Sequence, residues 1–168
     1  MVGKDVLQAF SRLRMIRTLF ISCLFVALHG LAWCSPIRDS LAMFESGATS
    51  PEASAADRVR GGAGEISRFQ ILPEVWRAYS KSRDYTNPQV AWTVAQRILD
   101  DRISDFQKAT GRPPRPVELY LLWNKPGHFA SKGYSVKRVA AHYRIKAQRF
   151  ENLFYHFETQ AAAEVAER

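Results

Sequence analysis

Glu45 is the residue of this chain best placed to carry a proton. It follows Ala42-Met43-Phe44 and precedes Ser46-Gly47. Apolar walls disfavour a carboxylate relative to the neutral acid, so they raise its pKa. A carboxyl that stays protonated near neutrality can hand its proton to a leaving oxygen. Two amides sit in similar surroundings. Gln70 lies between Phe69 and Ile71, and Asn124 follows Leu121-Leu122-Trp123. Amides offer both donors and an acceptor, so the pair suits a polar ligand or a held water. Plainer roles are also open. Glu45 fits a solvated helix end, Gln70 fits satisfaction of buried backbone, and Asn124 fits a helix C-cap before Pro126-Gly127.

The elements that must position these groups are mainly helical. Ile37, Leu41 and Phe44 recur at helical spacing, which predicts a helix over 36–44 that delivers Glu45 at its end. Residues 47–64, GATSPEASAADRVRGGAG, read as a long loop. Such loops are uncommon unless they serve a function or are disordered. A short helix is expected over 74–80, with Pro73 near its start. Asn87-Pro88 opens a longer helix that turns Val90, Val94, Ile98, Ile103 and Phe106 inward. Gly111 is its stop. After the stiff RPPRP connector, VELYLLW predicts a buried helix over 117–123. Asn124 to Gly127 reads as a turn. Residues 134–157 read as helix in two parts around Arg144, followed by a solvated helical tail. No stretch carries the period-2 alternation of several strands. The fold class is mainly α, with a small hairpin or irregular loop within 47–66.

Charge narrows the partners. The 168 residues carry a formal charge of +8. Residues 1–32 hold four of the basic residues and one of the acidic ones, so the remainder is about +5. An acidic polymer is the natural partner of such a surface. Nucleic acid, cell wall and anionic lipid all qualify on charge alone.

The start of the chain reads as a leader. A basic stretch to Arg17 precedes LFISCLFVALHGLAW, about 15 residues that are apolar apart from Ser22, His29 and Gly30, which is short for a membrane span. Gly30-Leu31-Ala32 supplies the small residues that a signal peptidase reads. Residues 1–32 are therefore expected to be a secretory signal peptide, with Met15 an alternative start and an uncleaved anchor or a core helix as the bland readings. Cleavage after Cys34 is a further option. Removal would take Cys23 and leave Cys34, so no internal disulfide is expected. Trp33 spoils a lipoprotein box at that cysteine. The four histidines are scattered, and no Cys/His spacing suggests zinc. No cofactor is expected, and neither is a stable membrane anchor.

Four elements in order carry a resemblance. They are Glu45-Ser46, then Arg68-Phe69-Gln70-Ile71-Leu72-Pro73, then Trp123-Asn124-Lys125-Pro126-Gly127, then Tyr143. The series resembles the lysozyme-like superfamily, in particular soluble lytic transglycosylases and goose-type lysozymes. Their run is Glu-Ser at a helix end, Gly-x-x-Gln-Ile, Tyr-Asn-x-Gly and a late Tyr. The resemblance covers roughly residues 37–155. This chain departs from it at Trp123, which replaces the Tyr of the Tyr-Asn pair, and at Lys125-Pro126. Ser67 or Arg68 replaces the family's Gly, and the gap from Glu45 to Gln70 is longer.

The resemblance implies a lysozyme-like helical domain over 33–158, with a polar tail over 159–168. It implies cleavage of the β-1,4 bond between MurNAc and GlcNAc in peptidoglycan, in the periplasm or outside the cell. Glu45 would be the acid. Ser46, Phe69, Gln70, Ile71, Trp123, Asn124 and Tyr143 would line the substrate site. Gln70 and Asn124 would hold the 2-acetamido group, and Tyr143 would position that group or bond to the acid. An inverting hydrolase also needs a second carboxylate roughly 6.5–9.5 Å from the first. Glu52, Asp57 and Glu65 qualify by position, and Glu65 is the best of them. Without one, the sugar's own acetamide can assist and an anhydro product results.

Two rival readings stand beside this one. The first is a domain that binds cell wall without cleaving it. The second takes 134–154, YSVKRVAAHYRIKAQRFENLF, as a helix-turn-helix whose basic second helix binds DNA phosphates. The leader and the absence of a Gly in the turn count against nucleic acid.

Overall fold

The computed structural model describes residues 34–167; the signal-peptide expectation lies outside them. Residues from Pro36 onward form one compact unit. The unit is mainly α-helical, and its described residues contain no named strand. Helix α1 spans Cys34–Ser46. A 3-10 turn covers Ser54–Arg58. Then come α2 (Pro73–Tyr79), α3 (Pro88–Thr110), α4 (Pro116–Asn124) and α5 (Pro126–Ser131). A second 3-10 turn, Val136–Arg138, leads into α6 (Ala141–Ala166). No helix among the described residues is long and apolar enough to cross a membrane.

Helix α4 is the centre of the fold. Every residue from Pro116 to Trp123 is buried. A helix that is apolar all round must be enclosed, and α3, α5 and α6 enclose this one. Its one buried acid is neutralised in place. The Arg112 guanidinium donates two hydrogen bonds to the Glu118 carboxylate, at 2.8 and 2.7 Å. The Arg115 backbone N–H adds a third at 2.8 Å. Burial alone would raise the Glu118 pKa, but these bonds outweigh it and bring the pKa down to about 2.

Local signals set the boundaries of α3. Asn87 Oδ1 accepts from the N–H groups of Gln89 and Val90 at 3.0 and 3.1 Å, which caps the first turn. Pro88 takes the first helical position, where its missing N–H costs nothing. Gly111 ends the helix in the left-handed conformation, φ 72°. Val94, Ile98 and Phe106 are buried as their spacing predicts, while Val90 and Ile103 are partly buried at the edge.

Two boundaries differ from the sequence reading, each for a physical reason. Pro126 does not end a turn. It starts α5, because a proline at the first helical position is already set at a helical φ. The segment after Tyr134 is not a helix broken at Arg144. It is a three-residue 3-10 turn, and the long helix begins at Ala141. A helix-turn-helix over 134–154 would need a first helix that the chain does not form there. Residues 159–166 continue α6 as a largely exposed helical extension, in line with the solvated helical tail read from the sequence.

The 47–66 region is irregular and pinned. Its single 3-10 turn presents Asp57, whose carboxylate takes two hydrogen bonds from Arg68 at 2.6 and 2.8 Å. Both residues are buried. Arg68 also donates to the Pro51 carbonyl. Arg68 thus ties the start and the middle of the loop to the segment that carries Gln70.

Candidate active site

Three aromatic rings fix the end of α1. Phe44 meets Tyr120 of α4 edge-on, with centroids 4.9 Å apart, and Phe150 of α6 at 5.9 Å. Tyr120 and Phe150 stack at 5.2 Å. Edge-on and offset ring pairs are the favoured geometries, worth roughly 0.5–1.5 kcal/mol each beyond the area they bury. The cluster holds Glu45, the next residue, against the Tyr120 side chain.

The Tyr120 side chain stands beside the Glu45 carboxyl, and the two lower and raise each other's pKa respectively. Glu45 Oε1 is buried without a hydrogen-bond partner. Burial is the largest influence on this group and raises its pKa. The Tyr120 hydroxyl and the positive charge of Lys146 work the other way, and the negative charge of Glu65 adds to the rise. The net result is a pKa of about 7. Burial, together with the negative charge of Glu45, raises the Tyr120 hydroxyl. It therefore stays a donor.

A groove of about 490 Å³ opens at Glu45. Gln70, Ile71, Trp123, Asn124 and Glu65 line it together with the acid. These residues come from the end of α1, the loop before α2 and the end of α4, so the tertiary fold brings together positions 79 residues apart in sequence.

Gln70 is set by a tight four-residue turn. Ile66 and Ile71 exchange both backbone hydrogen bonds, at 2.8 and 2.9 Å, and enclose Ser67 to Gln70. Within the turn both Ser67 (φ 63°) and Gln70 (φ 50°) are left-handed. A non-glycine residue there is strained, and such strain collects at functional sites. The Gln70 amide nitrogen donates to the carbonyls of Val59 and Ser67, at 3.3 and 3.0 Å. Its nitrogen is thereby occupied, which orients the amide and leaves Oε1 as the acceptor on the side of Gly61 and Glu65.

The other expected residues are placed elsewhere. Phe69 is fully buried and packs on Trp92, so it belongs to the core. The Ser46 hydroxyl donates to the Ala42 carbonyl at 2.6 Å and accepts from the Ala48 N–H, which finishes α1. Tyr143 does not line the groove. Its ring lies against His142, at 3.9 Å, and the Lys125 ammonium sits 5.6 Å from its centre. The tyrosine on the acid is Tyr120. Of the three second carboxylates considered, Asp57 is committed to Arg68, and Glu52 is exposed and accepts from Ser50 at 2.7 Å. Glu65 alone shares the groove, where its Oε2 accepts from the Ala63 N–H at 2.9 Å.

The chain matches no family model, no curated protein and no solved structure.

Two residues of the site carry no sequence motif. Arg102, on α3, donates to the carbonyls of Leu122 and Trp123, at 3.0 and 2.6 Å, and lies 5.6 Å over the Trp123 ring. It closes the end of α4 and holds Trp123 as a groove wall. Tyr120 is hidden in the apolar run VELYLLW. The available signal was chemical, because a tyrosine in a fully buried helix needs a partner for its hydroxyl. Among the described residues no group of His, Cys, Asp and Glu is arranged to hold a metal ion.

Proposed function

We propose that this chain cleaves the β-1,4 glycosidic bond between MurNAc and GlcNAc in peptidoglycan, with Glu45 as general acid. One observation carries the reading. A carboxyl with a pKa of about 7 lies in an open groove beside two amide side chains, Gln70 and Asn124. An acid of that strength is still substantially protonated at neutral pH and can protonate a leaving oxygen. The amides and Trp123 offer what an N-acetylated sugar needs, namely hydrogen bonds to the acetamido group and a flat apolar wall. The order of these residues in the sequence, which resembles lytic transglycosylases, agrees with the same chemistry.

Glu65 stands in the groove as a carboxylate that can activate water. In that role the enzyme is a muramidase. If Glu65 takes no part, the substrate's acetamide oxygen bonds to C1 as the protonated glycosidic oxygen leaves. The sugar's C6 hydroxyl then displaces it and gives its proton to the Glu45 carboxylate, and the product is an anhydro sugar. Mass spectrometry of digested cell wall separates the two outcomes. The full chain is expected to clear a peptidoglycan suspension, and Glu45→Gln to abolish clearing while leaving the fold intact. Clearing that survives this substitution moves the acid elsewhere. Wild-type protein that sediments with cell wall but releases no fragments is a binding domain instead.

A further inference from the structure

The groove does not end at Glu45. A second trough of about 430 Å³ continues beyond it, and Glu45, Asn124 and Lys146 are common to both. The acid thus stands between two compartments, as it must to reach a bond inside a polymer. The compartments differ in character. The second has an apolar floor from Met43, Phe44 and Leu153. Its rim holds Lys146 and Arg149, three residues apart on α6 and therefore on one face of the helix. Both are exposed, and neither pairs with a carboxylate among the described residues. Among the described residues the only acid in this trough is Glu45 itself.

Two like charges on one helix face repel each other mildly. An anion bound between them removes that cost and gains charge-assisted hydrogen bonds. We propose that Lys146 and Arg149 form a carboxylate-binding subsite that takes an acidic substituent on the sugar next to the bond being cleaved. This rests on the glycan-cleaving reading and specifies its substrate. The preferred strand is a polyanion, and an uncharged N-acetylglucosamine polymer binds without this contact. In peptidoglycan the carboxylate has two sources, the lactyl group of a strand stripped of peptide or the acids of the stem peptide.

The test uses full-length protein carrying Glu45→Gln, so that bound strands are not cut. Its affinity is measured for three oligosaccharides of equal length: a neutral chitin oligomer, a strand with free lactyl groups and a strand with stem peptides. At least one carboxylated strand is expected to bind about tenfold more tightly than the neutral one, with the advantage falling as salt rises. Whichever carboxylated strand gains identifies the source. Adding Lys146→Met and Arg149→Met should bring the carboxylated strands down to the affinity of the neutral strand measured in the same variant, with an unaltered melting temperature as the folding control. Equal affinity for all three strands overturns the subsite but leaves the glycan reading standing. An advantage that survives both substitutions overturns it too. Absence of binding to every strand overturns the glycan reading and the subsite with it.

Discussion

The side chain of Tyr120 stands beside the carboxyl of Glu45, where α4 meets the end of α1. The Tyr120 hydroxyl favours the ionised acid, whereas burial and Glu65 favour the neutral one. The acidity of the site is therefore a balance of named groups, and each can be removed separately. Tyr120→Phe removes a lowering influence, so the Glu45 pKa rises above about 7. Glu65→Gln removes a raising influence, so it falls. The general acid must be protonated, and kcat/KM is lost as pH rises through its pKa. The alkaline limb of the profile is expected to move up in Tyr120→Phe and down in Glu65→Gln. Limbs that stay fixed or move together would show that another group is titrating.

Stability carries the same signature without any substrate. In the unfolded chain Glu45 ionises near 4.5, and in the folded chain near 7. Between those values the folded state holds a proton that the unfolded state has released, so stability falls as pH rises through this window and levels off above it. The full difference is about 3 kcal/mol. Glu45→Gln cannot ionise and keeps the size of the side chain. It is expected to be more stable than the wild type by up to about 3 kcal/mol at pH 8, and close to it at pH 4. Denaturant melts at the two pH values measure this. A gap that does not change with pH would show that Glu45 titrates normally.

Asp57 and Arg68 hold the glycine-rich loop against the turn that carries Gln70. Removing one partner of a buried pair leaves the other charge uncompensated. Asp57→Ala is expected to cost about 3–5 kcal/mol, and to lower activity because the Gln70 turn loses its anchor. A loss under about 1 kcal/mol in chemical denaturation would mean that water replaces the carboxylate freely.

Gly61 has no room for a methyl group. A Cβ there would stand 2.1 Å from Glu65 Oε2 and 2.6 Å from Gln70 Oε1. The atoms in the way are side-chain ends, which can move, so Gly61→Ala is expected to change stability by less than about 1 kcal/mol. The same movement displaces two groove residues, and activity is expected to fall by about tenfold to a hundredfold. Full activity in this variant would show that the positions of Glu65 and Gln70 do not matter.

Strain at Gln70 gives a related contrast. Gln70→Gly relieves the left-handed backbone but loses the bonds to Val59 and Ser67. The two effects are of similar size. Stability is expected to stay within about 1 kcal/mol while activity drops, and a large loss of stability would make Gln70 a structural residue first.

The sequence by itself determined the helical elements and most of their ends. Asn87-Pro88 and Gly111 bound α3 because capping and φ preference act on neighbouring residues, where sequence can be read directly. It also picked out Glu45, Gln70 and Asn124, since a polar residue set in apolar sequence is a local anomaly. Where α5 starts was misjudged because a proline ends one helix and begins another with equal ease. The partners were decided by packing alone. Nothing local distinguishes Tyr120 from Tyr143 as the tyrosine on the acid, or tells Phe69 of the core from Trp123 of the groove wall. Hydrogen bonds and burial act between groups close in space. Only the enclosure of α4 by its neighbours brought Tyr120 to Glu45, and only that enclosure removed enough water to keep a proton on the acid.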